Sequence, residues 1–182
     1  MFLIIWLSAF YLISDPVGLK IGDRAPNFTA MDQNMKEINL KESLKSGKVV
    51  LTFYRGSWCR YCMKQFKDYQ DSLSMYAEKG ATIIAITPQK AEGINKSVET
   101  SKATFSILHD SDLSIMESYR VISEEKVADF RANFMDKEED NSRKFLPVPA
   151  TYIISQEGII DFVYFDPNYR VRISNMELLK HL

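Results

Sequence analysis

Two periods of apolar residues alternate along this chain, one suited to strands and the other to helices. Residues 48–54 (KVVLTFY) form a short β-branched and aromatic run that predicts a buried strand. Beyond a short loop, Met63, Phe66, Tyr69, Leu73 and Tyr76 recur at spacings of three and four, which gives a helix one apolar face. Lys64, Lys67, Asp68 and Asp71 fall on its other faces, and Gly80 supplies a stop. Residues 81–87 (ATIIAIT) read as a second buried strand. Strand, helix and strand in that order predict a parallel βαβ unit.

Weaker signals flank this unit. Gly22-Asp23-Arg24-Ala25-Pro26-Asn27-Phe28 reads as a loop leading into a short edge strand. Ile38 and Leu40 suit a small hairpin, and residues 41–45 a helical turn before Gly47. Residues 90–102 predict a polar helix, 104–108 a short strand and 111–119 a further helix. Residues 122–144 are charged and Pro-free, so they predict a partly exposed helix, an insertion or appended surface element. Residues 150–155 and 159–165 are two strands around Gln156-Glu157-Gly158, a hairpin. Parallel strands closed by an antiparallel pair predict an α/β sandwich, a central mixed sheet flanked by helices.

The first fourteen residues (MFLIIWLSAFYLIS) are apolar and uncharged. They fall short of the roughly 20 residues a spanning helix needs. They look like the apolar part of an export signal, yet no Lys or Arg precedes them. Export or anchoring, a docked apolar helix, and a start codon inside a longer gene are the three readings. The favoured location is cytoplasmic, with membrane contact only if residues 1–14 act as an anchor. Asp15-Pro16 marks a break, so residues 1–18 are set apart from a single domain at 19–182.

Composition narrows the chemistry. A chain of 182 residues, 46% hydrophobic and 12% aromatic, is long enough for one sizeable core. Its 23 basic and 24 acidic residues leave a net charge of −1, which builds no field to collect nucleic acid. Small molecules or other proteins are the expected partners. Only two cysteines are present, Cys59 and Cys62, too few for a disulfide scaffold. A structural zinc site needs about four Cys or His ligands, and only His109 and His181 are available, at no recognisable spacing. No metal and no bound cofactor are expected.

The position of the cysteine pair carries the functional reading. A strand ends at Tyr54, Arg55-Gly56-Ser57-Trp58 forms a loop, and a helix starts near Cys59. The first turn of a helix presents unpaired N–H groups and the positive end of the macrodipole. Arg55 and Arg60 add positive charge. Such settings lower a cysteine pKa from about 8.5 to about 3.5–7.5, and the thiolate is the reactive species. Residues i and i+3 share one side of a helix turn, so the two sulfurs can close a Cys59–Cys62 disulfide with little backbone movement. Trp58 beside the first thiol offers a flat apolar surface to a partner. A cysteine pair of this spacing in an arbitrary sequence can be two buried small hydrophobes; its place between a strand and an amphipathic helix favours redox chemistry.

These features resemble the thioredoxin-fold superfamily, and more closely the peroxiredoxin-like branch of the alkyl hydroperoxide reductase and thiol-specific antioxidant family. The likeness runs from about Leu19 to Leu182. It rests on Gly22-Asp23-Arg24-Ala25-Pro26-Asn27-Phe28, on Leu51 to Cys62 (LTFYRGSWCRYC), and on Pro147-Val148-Pro149-Ala150-Thr151-Tyr152. It implies a thioredoxin-like sandwich and a thiol oxidoreductase that reduces peroxides through the pair, re-reduced by a thioredoxin- or glutathione-type donor. Aligned on peroxiredoxins, the peroxidatic position falls on Cys62, the hydroxyl position on Cys59 and the preceding proline on Arg55. Thioredoxins attack instead with the first cysteine, here Cys59, on disulfide substrates. The resemblance also implies a cis Pro149 opposite the pair, where typical peroxiredoxins have an arginine, with the backbone of Val148 exposed to substrate. Arg55, Trp58, Val148 and Pro149 are thus the expected positioning residues. A non-enzymatic thioredoxin-fold binding module is the third alternative.

Overall fold

The computed structural model describes residues 16–124 and 145–182. The apolar segment 1–14 and most of the expected insertion at 122–144 lie outside them. Strand β3 (Lys48–Phe53) is the centre of a five-stranded sheet. On one side it pairs in parallel with β4 (Ala81–Thr87), which pairs in parallel with β5 (Ser106–His109). On the other it pairs antiparallel with β8 (Ala150–Ile154), which continues into β9 (Ile160–Phe165). The order β5-β4-β3-β8-β9 is the expected mixed sheet.

Buried on both faces, β3 sends successive side chains to opposite layers. Val49, Leu51 and Phe53 enter a cluster with Phe28, Tyr119 and Tyr152. Val50 and Tyr54 enter a second cluster with Phe66, Tyr69, Tyr76, Phe105 and Ile107. That second layer is built by α2 (Arg60–Asp71), α3 (Leu73–Glu78) and α4 (Ala91–Ser101). Phe66 stands at its middle, 4.6 Å from the Tyr54 ring and 5.2 Å from Phe105. Polar groups under α2 are satisfied. Gln65 donates to the Tyr69 hydroxyl at 2.8 Å, and that hydroxyl lies 3.4 Å from Thr151 Oγ1, itself 3.2 Å from Thr52 Oγ1.

The remaining elements follow the sequence with informative departures. β1 (Thr29–Met31) and β2 (Glu37–Asn39) form the small hairpin, and α1 (Leu40–Leu44) the helical turn. Helix α5 (Ser114–Ser118) is shorter than expected, because its N-cap Leu113 is left-handed and Asp110 takes up the free N–H groups of Ile115 and Met116. The single helix expected through Tyr76 is broken at Ser72, whose N–H bonds Tyr69 one residue early, a 3₁₀-type turn. Tyr76 is then packed edge-on to Tyr69 at 5.9 Å. Residues 122–124 are not helical. They form β6 (Ile122–Glu124), antiparallel to β7 (Phe145–Pro147). Beside them the Val148 N–H donates to Val121 O at 2.8 Å, extending the ladder where β-branched residues sit. Short helix α6 (Asn175–Leu179) ends the chain and buries Leu178 and Leu179 in the second cluster.

Truncating Phe66 removes the α2 ring that packs on Tyr54, just past β3, and on Phe105, just before β5. Phe66→Ala is expected to lower unfolding free energy by about 3–5 kcal/mol, read as a reduced midpoint in urea denaturation.

Candidate active site

Strand β3 runs out at the edge of a loop that delivers both cysteines. Tyr54 still donates to Ile86 O at 3.0 Å, so the loop departs from a fixed point on β4. The loop then closes on itself, with Cys59 N–H donating to Gly56 O at 3.0 Å. Cys59 is the N-cap of α2, extended at φ −84° and ψ 99°. Its Sγ accepts the Cys62 N–H at 3.4 Å, the place where Ser, Thr or Asp usually cap a helix. Both thiols are free and buried, Cys62 completely. The pair therefore occupies the first turn of α2 as the spacing predicts.

A residue just past the end of β4 holds the loop in place. Gln89, buried, accepts the Ser57 N–H at 2.6 Å and donates back to Ser57 Oγ at 3.4 Å. Gly56 has φ +150°, and a Cβ there would stand 2.7 Å from Trp58 Nε1 and 2.8 Å from Gln89 Cδ. Glycine is required where the backbone comes this close.

The positive charge against the sulfurs comes from the far end of the chain. Arg172, in the loop between β9 and α6, puts Nη2 3.3 Å from Cys62 Sγ and 4.0 Å from Cys59 Sγ. Its Nη1 donates to the carbonyls of Tyr169 (2.5 Å) and Val171 (2.6 Å), which fixes the guanidinium plane. Helix α6 anchors that loop. Tyr76 hydroxyl donates to Asn175 Oδ1, while Asn175 Nδ2 donates to Asp68 O at 3.0 Å. Tyr169 completes the attachment, with the Arg55 guanidinium carbon 4.2 Å from its ring centroid and 4.9 Å from that of Trp58.

Expected site residues divide accordingly. Arg55 is buried, and its guanidinium lies against the rings of Tyr169 and Trp58. It reaches Cys62 through its backbone N–H. Arg60 is exposed and lies over Tyr61 at 4.8 Å. Trp58 is half-buried, with the Arg55 guanidinium over its ring. The Val148–Pro149 bond is trans, as no cis peptide occurs among the described residues, and the Val148 N–H is already bonded to Val121. Trans is the ordinary preference of an X–Pro bond, and the ladder beside β7 fixes this stretch without a cis turn. Val148 and Pro149 instead line a cavity of about 290 Å³ with Pro147, Pro167 and Tyr169. Sequence reasoning missed Arg172, Tyr169 and Gln89.

The electrostatics separate the two thiols. Burial alone raises the pKa of Cys62, but hydrogen bonding from the Cys59 side chain, the Arg172 charge and the Arg55 N–H outweigh it and bring Cys62 down to about 6. Cys59 is pushed well above the ordinary thiol range by its hydrogen bond to the Cys62 sulfur and by burial. Charge and hydrogen bonding thus favour the thiolate at Cys62 and the thiol at Cys59.

The chain is similar to known thiol oxidoreductases. A family model described as "AhpC/TSA family" matches residues 21–163. Peroxiredoxin Bcp of Escherichia coli is 26% identical over 148 residues, 81% of this chain and 86% of that protein. Thiol-disulfide oxidoreductase ResA of Bacillus thuringiensis is 31% identical over 141 residues, 77% of this chain and 66% of that protein. Among solved structures, peroxidoxin BcpB from Mycobacterium tuberculosis superposes with a TM-score of 0.73 at 19% identity, covering 90% of this chain and 96% of that one. A peroxiredoxin-like protein from Aquifex aeolicus gives 0.69 at 18%, covering 91% and 87%.

If Arg172 sets the Cys62 ionisation, Arg172→Gln raises its apparent pKa by about one unit or more. The thiolate fraction below both pKa values then falls about tenfold. Thiolate ultraviolet absorbance followed against pH should rise near pH 6 in the parent protein and later in the variant.

Proposed function

The chain belongs to the AhpC/TSA family, and from that premise we propose that Cys62 attacks a peroxide and Cys59 closes the disulfide. It is a thiol-based oxidoreductase with a thioredoxin fold, of the peroxiredoxin-like, peroxide-reducing type. The family implies in general a peroxide substrate and a thioredoxin-type reductant. The observation that carries our assignment is the unequal reach of Arg172, 3.3 Å to Cys62 Sγ against 4.0 Å to Cys59 Sγ. A fixed cation stabilises the thiolate it touches, and the thiolate is the nucleophile.

In this cycle the Cys62 thiolate attacks the terminal oxygen of the hydroperoxide, the O–O bond breaks, an alcohol (or water) leaves once protonated, and the sulfur becomes a sulfenic acid. Cys59, on the same helical turn, attacks that sulfur and expels water, leaving the Cys59–Cys62 disulfide. A dithiol donor of the thioredoxin type, or glutathione, then restores both thiols. Arg172, Arg55 and Gln89 hold the geometry. No metal or organic cofactor is needed for these steps.

The ResA relatives favour a second reading, exchange with protein disulfides, in which Cys59 attacks. Its thiol sits 4% exposed, against 0% for Cys62. Mass spectrometry after a brief peroxide pulse separates the two. A Cys59→Ser protein is expected to trap a sulfenic acid at Cys62, and Cys62→Ser to lose peroxide consumption to background. A wild-type protein that reduces a protein disulfide while neither variant traps a sulfenic acid would establish the exchange reading instead.

A further inference from the structure

Cleaving a hydroperoxide O–O bond with a thiolate releases an alkoxide or hydroxide, a strong base that needs a proton as the bond breaks. Few groups are placed to give one. Among the described residues, Cys62 is acted on by the Arg172 guanidinium, the Arg55 backbone N–H and the Cys59 side chain. A guanidinium donates hydrogen bonds but does not release its proton in a protein, and a backbone amide does not either. The Tyr54 hydroxyl lies within the electrostatic reach of Cys62, yet it is bonded to Ser97 Oγ at 3.1 Å, on α4. Cys59 remains. Its Sγ accepts the Cys62 N–H and shares with Cys62 a single guanidinium nitrogen, so both sulfurs border the same small space.

We propose that Cys59 is the general acid of the peroxide step as well as the resolving thiol of the step that follows. This rests on the reading of Cys62 as the attacking sulfur. In the first step the Cys62 thiolate, the hydroperoxide and the Cys59 thiol give the Cys62 sulfenic acid, an alcohol (or water) and the Cys59 thiolate. The S–O bond forms, the O–O bond breaks and the Cys59 proton moves to the departing oxygen. In the second step the Cys59 thiolate attacks the Cys62 sulfenic sulfur and expels hydroxide, so two thiol sulfurs are oxidised to one disulfide by one peroxide. Donation thus creates the nucleophile that resolution requires.

The surroundings suit that order. While Cys62 carries negative charge, that charge and burial keep Cys59 protonated, so the proton is present when peroxide arrives. The sulfenic acid is neutral, which removes the repulsion. Arg172, 4.0 Å from Cys59 Sγ, then faces the newly formed thiolate, as does the positive end of α2, whose N-cap Cys59 is.

The test compares Cys59→Ser, which keeps a hydroxylic donor, with Cys59→Ala, which has none. Single-turnover sulfenic acid formation at Cys62 is followed by trapping with a cyclic diketone and mass spectrometry. Two oxidants are used: cumene hydroperoxide, whose alkoxide needs the proton, and peracetic acid, whose carboxylate does not. Cys59→Ala should react about 100-fold more slowly than Cys59→Ser with cumene hydroperoxide and at a matching rate with peracetic acid. Equal rates with cumene hydroperoxide, or an equal loss with both oxidants, would overturn the acid role while leaving Cys62 as the attacking sulfur. A lack of sulfenic acid at Cys62 in wild type and both variants would overturn the underlying reading as well.

Discussion

A thiolate with no solvent contact is stable only where a fixed positive charge and hydrogen-bond donors replace water. Here the replacement is the Arg172 guanidinium, 3.3 Å from a sulfur 110 residues away in sequence. Much of the late chain serves that contact. Strand β9 returns it to the sheet edge, α6 buries Leu178 and Leu179 beside α2, and Asn175 bridges Tyr76 and the backbone of Asp68. The Tyr169–Arg55–Trp58 stack then ties the intervening loop to the one that carries the cysteines. Fold and site are coupled, because the same loop that covers the thiols supplies their charge.

The cysteines are chemically unequal because their neighbours are. Cys59 spends its sulfur on capping α2, accepting the Cys62 N–H. Cys62, one turn deeper, receives the Arg55 N–H and the guanidinium. Residues that never touch a sulfur maintain the difference. Gln89, just past β4, pins Ser57, and Gly56 lets that glutamine and Trp58 both close on its backbone. Displacing either shifts Cys59 relative to Arg172, and a displacement of about 1 Å is enough to weaken catalysis strongly.

Local patterns made the framework legible. The β-branched run of β3, the three–four spacing of Phe66 and Tyr69, and the Gly158 turn are each encoded within a few residues. The cysteine pair at a helix start was readable for the same reason. Arg172 was not, since nothing within its own neighbourhood distinguishes it from Arg170, which is exposed; only the path of the chain after β9 brings it to Cys62. The two arginines nearest the pair misled in instructive ways. Arg55 is drawn into an aromatic stack and Arg60 into solvent. Pro149 lacks the cis bond expected from the family likeness, because a backbone ladder rather than a turn fixes Val148. At Ile122, tertiary pairing with Pro147 overrides a helical composition.

The central claim is that Cys62, and not Cys59, holds the negative charge of the reduced pair. Titration of both sites at once, with ¹³C-labelled cysteine Cβ signals followed by NMR against pH, tests it most directly. The account predicts that the Cys62 signal shifts with a midpoint near 6 while the Cys59 signal stays in its thiol position through neutral pH. A Cys59 signal that titrates first would contradict it.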